Sequence, residues 1–350
     1  MSAAEDRAEN IRLIRDSAAA IAQPAALGRI RALRFTAPGF ERTSWQAMCD
    51  MGWPGLLVAE ADGGSGLGMG EFCALCEELG AGLVPEPLIG TAVAARVLKG
   101  AALADLLAGR RLVLPAWQER ANSLDAQGET RVAGGRVSGR KCFIPMAAGA
   151  DAFVVSGRDG LALVAAAAAG LSVEPTQDGG YFGTLSLHEA PGTPLAGDLD
   201  AALDEAALAS SAYLLGVMER AFALTLDYLR TRQQFGRAIG SFQSLQHRAA
   251  DLKIQIALTR ASIESAAATL DGAPAVAERQ AAVSRAKARA AEAAMLVTRQ
   301  AIQLHGGIGY TDEADIGLYL RKAMVLANLY GSAALHRARF AAAATEEDDA

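Results

Sequence analysis

Three arginines, Arg230, Arg232 and Arg237, crowd the stretch YLRTRQQFGRAIGSFQSLQH at 228–247, interleaved with Gly236 and Gly240. Planar guanidiniums beside glycine backbone offer forked N–H donors and room for close approach, which is what a bound anion requires. A phosphate is the obvious ligand. The competing reading is an ordinary turn between helices whose arginines are solvated. Apolar residues recur at helical spacing on both sides: Leu214, Leu215, Met218, Phe222, Leu226 and Leu229 before the turn, and Leu252, Ile256, Leu258 and Ile263 after it. The turn therefore links two long helices.

Other residues capable of chemistry form weaker patterns. Cys73-x-x-Cys76 has the spacing of a redox or metal pair, but it lies inside a helical pattern, EFCALCEELG, and no second pair or nearby histidine completes a ligand set. With Cys49 and Cys142 these read as core cysteines, with no disulfide framework and no metal site. The glycine-rich run at 52–68 lacks both a Gly-Lys-Ser/Thr ending and a GxGxxG spacing, so it reads as a structural turn. His247 and His305 read as packing or hydrogen-bonding residues.

The elements that must position these residues follow from composition and period. A chain of 350 residues buries a large core and divides into domains. Its residues are 51% hydrophobic and only 5% aromatic, which predicts tightly packed, alanine-rich helices. The net charge of −6 argues against nucleic acid or an anionic membrane as the main partner, and leaves anion binding to local arginines. No apolar run reaches the ~20 residues of a bilayer span, and the charged start MSAAEDRAENIRLIRD lacks the apolar core of a signal peptide, so the expected location is cytoplasmic.

Residues 1–109 read as an N-terminal helical domain, with an amphipathic helix at 6–21, a helix N-capped by Ser44 and running through Met51, and a helix through Leu79 stopped by Gly80 and Gly82. Between 110 and 198 the pattern changes to short β-type runs at 111–116, 136–143, 152–156, 161–165, 171–173 and 184–187, the makings of a small sandwich or barrel. Residues 199–345 predict four long helices, at 204–231, 243–270, 275–304 and 316–340, hence a four-helix bundle, followed by an acidic tail at 346–350. The fold class is mainly α with a central β domain.

The order Arg232-x-x-Phe235-Gly236-x-x-Ile239-x-x-Phe242-Gln243-x-x-x-His247 resembles the segment joining the first two bundle helices of acyl-CoA dehydrogenases. QLHGGIGYT at 303–311 resembles that family's other long signature, at the family's distance downstream, and the likeness extends more loosely along nearly the whole chain. The resemblance implies FAD-dependent α,β-dehydrogenation of an acyl-CoA thioester, with an electron-transfer flavoprotein as the usual acceptor. In that family FAD lies between two subunits: one supplies the flavin cradle, and its neighbour supplies the pocket for adenosine and pyrophosphate. By this resemblance Arg232 pairs with the pyrophosphate, while Phe235 and Ile239 make apolar contacts. Gln234 and Gln243 belong to the same motif, Gln303 lies under the adenine or ribose, Gly306 and Gly307 permit close approach, and Ser332 stands where a threonine hydroxyl meets the cofactor. Each has a plainer reading, Phe235 as core and the glycines as a turn.

The likeness breaks down on the other half of the site. The family's Thr-Glu-Pro and Gly-Ser-Asp motif is absent from PAWQERANSLDAQ at 115–127, and its Trp-Ile-Thr segment is replaced by Phe143-Ile144-Pro145, where Phe143 could stack but Pro145 has neither hydroxyl nor N–H. The loop at 52–68 carries Ala59-Glu60 where the family has Pro-Glu before its GGxG turn. The usual catalytic glutamate falls at Tyr330, a phenol too weak as a base at neutral pH. A minority of the family places the base at the position of Ala206; Glu205 is one residue away, about 100° round the helix, and reads better as an acidic first-turn residue.

Loss on one half and retention on the other implies a chain that completes the FAD site of a different, catalytic subunit. It resembles the shorter subunits of bacterial heterotetrameric (α2β2) enzymes acting on steroid-like CoA thioesters. The alternatives are a self-sufficient homotetramer using Glu205 or another base, and a flavin-free structural or regulatory partner.

Overall fold

The computed structural model describes residues 3–348. In chain order the elements are α1 (Ala3–Ala18), α2 (Gly28–Leu33), α3 (Arg42–Asp50), α4 (Met69–Ala81), α5 (Leu88–Val97), α6 (Gly100–Leu107), β1 (Val113–Ala116), β2 (Arg131–Ala133), β3 (Arg136–Pro145), β4 (Ala152–Gly157), β5 (Gly160–Ala165), β6 (Gly170–Pro175) and β7 (Tyr181–Leu195). There follow α7 (Asp200–Thr231), β8 (Gln233–Gln234), β9 (Arg237–Ala238), α8 (Gln243–Asp271), α9 (Val276–His305), α10 (Ile316–Leu326) and α11 (Ala333–Asp348). They gather into two compact units, one built from 28–72 and 85–207, the other from the chain up to Leu27, 73–84 and everything from Leu208 onward.

The first unit holds a mixed seven-stranded sheet in the order β1-β4-β5-β7-β3-β2, with β6 also on β7. Its organising strand is β7, which pairs with β6 and β3 over its first part and with β5 over 192–195. Alternation along β7 buries Leu185 and Leu187, and these join Val137 and Ile144 from β3 with Phe153 and Val164 from β4 and β5 in one apolar core. Both parts of the sheet thus feed a single core, as in a sandwich bent about a shared strand. The sequence places only 184–187 in this strand because Pro191, Gly192 and Pro194 read as punctuation; paired on β3 and β5, they extend it. The three-residue, outward-facing β2 carries no periodic signal at all.

The second unit is the bundle, with α9 at its centre against α8, α10 and α11. The buried face of α9 is lined with small residues, Ala282, Ala286, Ala290, Ala294 and Ala301, which let its neighbours approach closely. Helices α4 and α7 cross closely, and a Cβ added at Gly80 would overlap the Tyr213 carbonyl and one at Gly216 the Glu77 carbonyl. Beside it Glu77 joins Arg15 at 2.6 Å and also Arg260, which reaches on to Glu219 at 3.3 Å. One helix among the described residues, α7, is long and apolar enough to cross a membrane; 83% of its apolar window is buried, the condition of a core helix.

Several local expectations give way. Ser44 lies inside α3, which is entered from Glu41; its hydroxyl donates to the Glu41 carboxylate at 3.3 Å instead of capping. Gly80 does not stop α4, because its missing side chain is used for packing. Leu258 is 51% exposed, and the inner face of α8 is carried by Leu252, Ile256 and Ile263. The expected fourth bundle helix is two helices, broken at 327–332, where Tyr330 (φ 57°) and Gly331 (φ 105°) leave the helical region.

Candidate functional site

The arginine-rich turn is an exposed arm. Beyond α7 the chain forms the β8–β9 hairpin, with Gln234 opposite Arg237 and a two-residue loop of Phe235 and Gly236 at φ 52° and 75°. Two successive positive φ values make a type I′ turn, whose twist suits a tight hairpin and which glycine at the second position eases. Phe235 at the tip is 88% exposed, packing only edge-on to Phe242 with centroids 6.0 Å apart. The Arg237 guanidinium lies 4.1 Å over the Phe242 ring, and the Ile239 N–H donates to the Arg232 carbonyl at 2.9 Å, closing the base of the arm. The Arg232 side chain is exposed and takes no hydrogen bond or ion pair among the described residues. Gln234 and Gln243 are exposed and Ile239 is half-buried.

The second signature lies at the same end of the bundle. His305, the last residue of α9, stacks on Tyr228 near the end of α7, with ring centroids 4.6 Å apart, and its Nδ1 bonds the Ala301 carbonyl at 2.7 Å. This stack ties the end of α9 to the base of the arm. Burial lowers the imidazole pKa although the Ala301 carbonyl opposes it, so the ring packs as a neutral group. Gln303, Gly306, Gly307, Ile308 and Tyr310 are exposed, Tyr310 by 80%. A Cβ built on Gly306 or Gly307 meets nothing within 4 Å, so any close approach there is to something outside this chain; Gly306 at φ 66° is needed for the turn itself.

At the break between α10 and α11, Tyr330 is buried at 4% exposure, and desolvation together with the neighbouring Cys76 thiol pushes its phenol pKa well up. It cannot serve as a base. Ser332 caps α11, its Oγ accepting from the Leu335 N–H at 3.4 Å, which leaves the hydroxyl proton to donate elsewhere. Glu205 is not in the first turn of its helix, which begins at Asp200; its carboxylate pairs with Arg96 at 3.1 Å and is 16% exposed.

In the sheet unit, the segment at 115–130 is knitted to itself. The Glu119 carboxylate accepts from Lys141 Nζ (2.8 Å), the Thr130 hydroxyl (2.6 Å) and the backbone N–H groups of Glu129 (2.7 Å) and Thr130 (2.8 Å). Lys141, with a side chain that is 0% exposed, also donates to the Trp117 carbonyl at 2.9 Å. Burial works to raise the Glu119 pKa, but these donors outweigh it and hold the carboxyl at about 2. Nearby, at a bulge in β3, Phe143 takes a left-handed conformation (φ 57°), is 37% exposed and meets Phe182 edge-on at 6.2 Å.

Residues 198–345 match the acyl-CoA dehydrogenase C-terminal domain, and residues 8–101 match the acyl-CoA dehydrogenase N-terminal domain. Over 333 residues the chain is 33% identical to acyl-CoA dehydrogenase IpdE2 of Mycolicibacterium smegmatis, covering 92% of this chain and 95% of that protein. The chain belongs to the acyl-CoA dehydrogenase family. Among solved structures, a chain of the Tcur3481-Tcur3483 steroid ACAD G363A variant superposes with a TM-score of 0.87 at 30% identity, covering 100% of both chains. A chain of the ChsE4-ChsE5 complex from Mycobacterium tuberculosis gives a TM-score of 0.86 at 25% identity, covering 99% of this chain and 98% of its own.

Acyl-CoA dehydrogenases are FAD enzymes, and this member's residues suit one part of that cofactor better than another. The bundle end has a guanidinium with no partner among the described residues, an exposed aromatic ring and open glycine backbone, a donor and stacking set whose chemistry suits a diphosphate and a purine. In the sheet unit Pro145 offers no N–H, and the groups that donate to Glu119, namely Lys141, Thr130 and the Glu129 backbone, lie outside the rewritten 115–127 loop. Four polar groups of this family member, the half-buried Glu119 and the buried Lys141, Lys287 and His336, were not singled out from the sequence. For Lys287 a signal exists: it falls on the inner face of α9 at helical spacing from Val283, Ala290 and Ala294, where a lysine is out of pattern.

Proposed function

We propose that this chain is a subunit of a heteromeric acyl-CoA dehydrogenase that supplies the adenosine and pyrophosphate half-site for FAD held by a homologous catalytic subunit. The observation that carries this reading is the asymmetry of the two regions. Arg232 stands exposed and takes no hydrogen bond or ion pair among the described residues, at the same end of the bundle as Phe235 and the 306–310 turn, while the 115–127 loop lacks the family's Thr-Glu-Pro and Gly-Ser-Asp motif and Pro145 has no N–H. In this reading Arg232 forks onto the pyrophosphate, Phe235 and Ile239 give apolar contacts, and Gln234, Gln243 and Gln303 offer amide donors and acceptors. Gly306 and Gly307 admit the cofactor to the backbone, and Ser332 donates its hydroxyl.

Bound FAD would accept hydride from the acyl β-carbon, and the base would come from the partner, since Tyr330 is buried and Glu205 is paired with Arg96. The likeness to chains of a steroid ACAD and of the two-component ChsE4-ChsE5 complex supports an α2β2 assembly acting on a steroid-like acyl-CoA, with an electron-transfer flavoprotein as acceptor.

The test is flavin absorbance per chain, for this protein alone and co-expressed with a longer homologue that keeps the glutamate. Flavin only in the complex, at fewer than one per chain, is the expected result. Full occupancy in the lone chain would refute the reading and favour the homotetramer. Arg232→Ala should release FAD from the complex; a silent Arg232→Ala would favour a structural subunit that touches no flavin.

A further inference from the structure

The 327–332 break joins α10 to α11 through a strained backbone. Tyr330 is left-handed at φ 57°, a conformation that a bulky aromatic residue keeps only when its neighbours over-determine it. Those neighbours are buried, polar and drawn from α7, α9 and α11. His336 Nε2 donates to the Tyr330 carbonyl at 2.9 Å; a carbonyl can only accept, so that nitrogen carries the proton. Burial keeps the rest of the ring neutral, with Arg339 and Lys287 acting in the same direction and the Tyr330 carbonyl opposing. Nδ1 then accepts from the Ser284 hydroxyl at 3.2 Å, and Ser284 Oγ accepts from Arg339 Nε at 2.7 Å.

On the other side of the break, the fully buried Lys287 donates to the carbonyl of Leu326, the last residue of α10, at 2.8 Å and to Ser210 Oγ at 3.0 Å. That carbonyl would otherwise be one of the unpaired acceptors at a helix end. Ser284 and Lys287 lie one turn apart on α9, so a single helix face grips both ends of the break. An apolar residue at 287 would pack as Val283 and Ala290 do, but could not reach Leu326.

We propose that Ser284, Lys287 and His336 are positioning residues that lock the 327–332 turn, and that through it they hold Ser332 where its hydroxyl meets the FAD of the partner subunit. The second step rests on the half-site reading above. His336 reaches the turn twice, since its own backbone N–H donates to the Ser332 carbonyl at 3.1 Å.

The experiment pairs hydrogen exchange at 327–332 in the lone chain with FAD affinity of the assembled complex, for His336→Leu, His336→Gln and Lys287→Met. His336→Leu and Lys287→Met should each raise exchange in the turn by on the order of tenfold while α7 keeps its protection. His336→Gln, which retains a donor, should return it toward the wild-type value. FAD should bind His336→Leu complex roughly tenfold more weakly, with rescue in His336→Gln. Unchanged exchange in both His336→Leu and Lys287→Met, or an equal rise throughout the bundle, would overturn the lock. Raised exchange with unchanged FAD affinity would overturn the link to the cofactor where Arg232→Ala releases FAD; where Arg232→Ala is silent as well, the fault lies in the half-site reading.

Discussion

Replacing Lys287 by methionine should change how stability depends on pH, and the size of the change follows from burial. Desolvation alone lowers this lysine from its ordinary 10.5 to about 7, and no carboxylate contributes; the titratable group it acts on is His336, on α11. At ~1.4 kcal/mol per pH unit, the folded protein disfavours the ammonium by about 5 kcal/mol relative to the unfolded chain. Between pH 7 and 10.5 the unfolded state holds a proton that the folded state has shed, so stability rises with pH across that window and is flat below it. Urea unfolding of wild type and Lys287→Met at about pH 7.5 and about pH 9.5 isolates the effect, because other groups titrate alike in both. Wild type should gain about 3 kcal/mol on the variant over that interval. At the lower pH the variant should equal or exceed wild type, since losing two hydrogen bonds at roughly 1 kcal/mol each is offset by removing a costly buried amine. Parallel pH curves would refute the claim that Lys287 is buried without a counter-charge.

Gly80→Ala should lower the urea midpoint sharply and cost more than the ~1 to ~3 kcal/mol usual for overpacking, because the added methyl meets the Tyr213 carbonyl, which cannot yield as a side-chain end can. Glu119→Ala should cost about 3 to 5 kcal/mol by stranding the Lys141 ammonium, and adding Lys141→Met should recover most of that in the same unfolding assay; two additive losses would sink the idea of a coupled pair. Tyr330→Glu in the lone chain should give no acyl-CoA oxidation by dye reduction, since the position is buried and the 115–127 loop lacks the family's Thr-Glu-Pro and Gly-Ser-Asp motif. Turnover by that variant without a partner would show that the lost half-site has been misread.

The family and the long helices were legible in the residues themselves. The order from Arg232 to His247 and the run from Gln303 to Thr311 resemble the family's two signatures, and the structure brings both stretches to one end of the bundle, tied by the Tyr228–His305 stack. The four cysteines are free and buried, as their isolation from histidines suggested. The helices at 204–231, 243–270 and 275–304 fell within a few residues of α7, α8 and α9 because their apolar period is long and unbroken.

What the sequence determined by itself is therefore local and periodic: helices long enough to average their signal, turns with glycine, and a basic motif whose residue types carry their own chemistry. Only tertiary structure decided the rest. The break at 327–332 is invisible to a period count, because Lys287 reaches from α9 to the Leu326 carbonyl that ends α10. Gly80 looks like a stop signal until the Tyr213 carbonyl is found against it. Pro191 and Pro194 look like punctuation until β3 and β5 pair with their strand. In each case a contact between residues far apart in the chain outweighs the local preference, since burying a polar group without a partner, or opening a gap in a packed core, costs more than any single propensity offers.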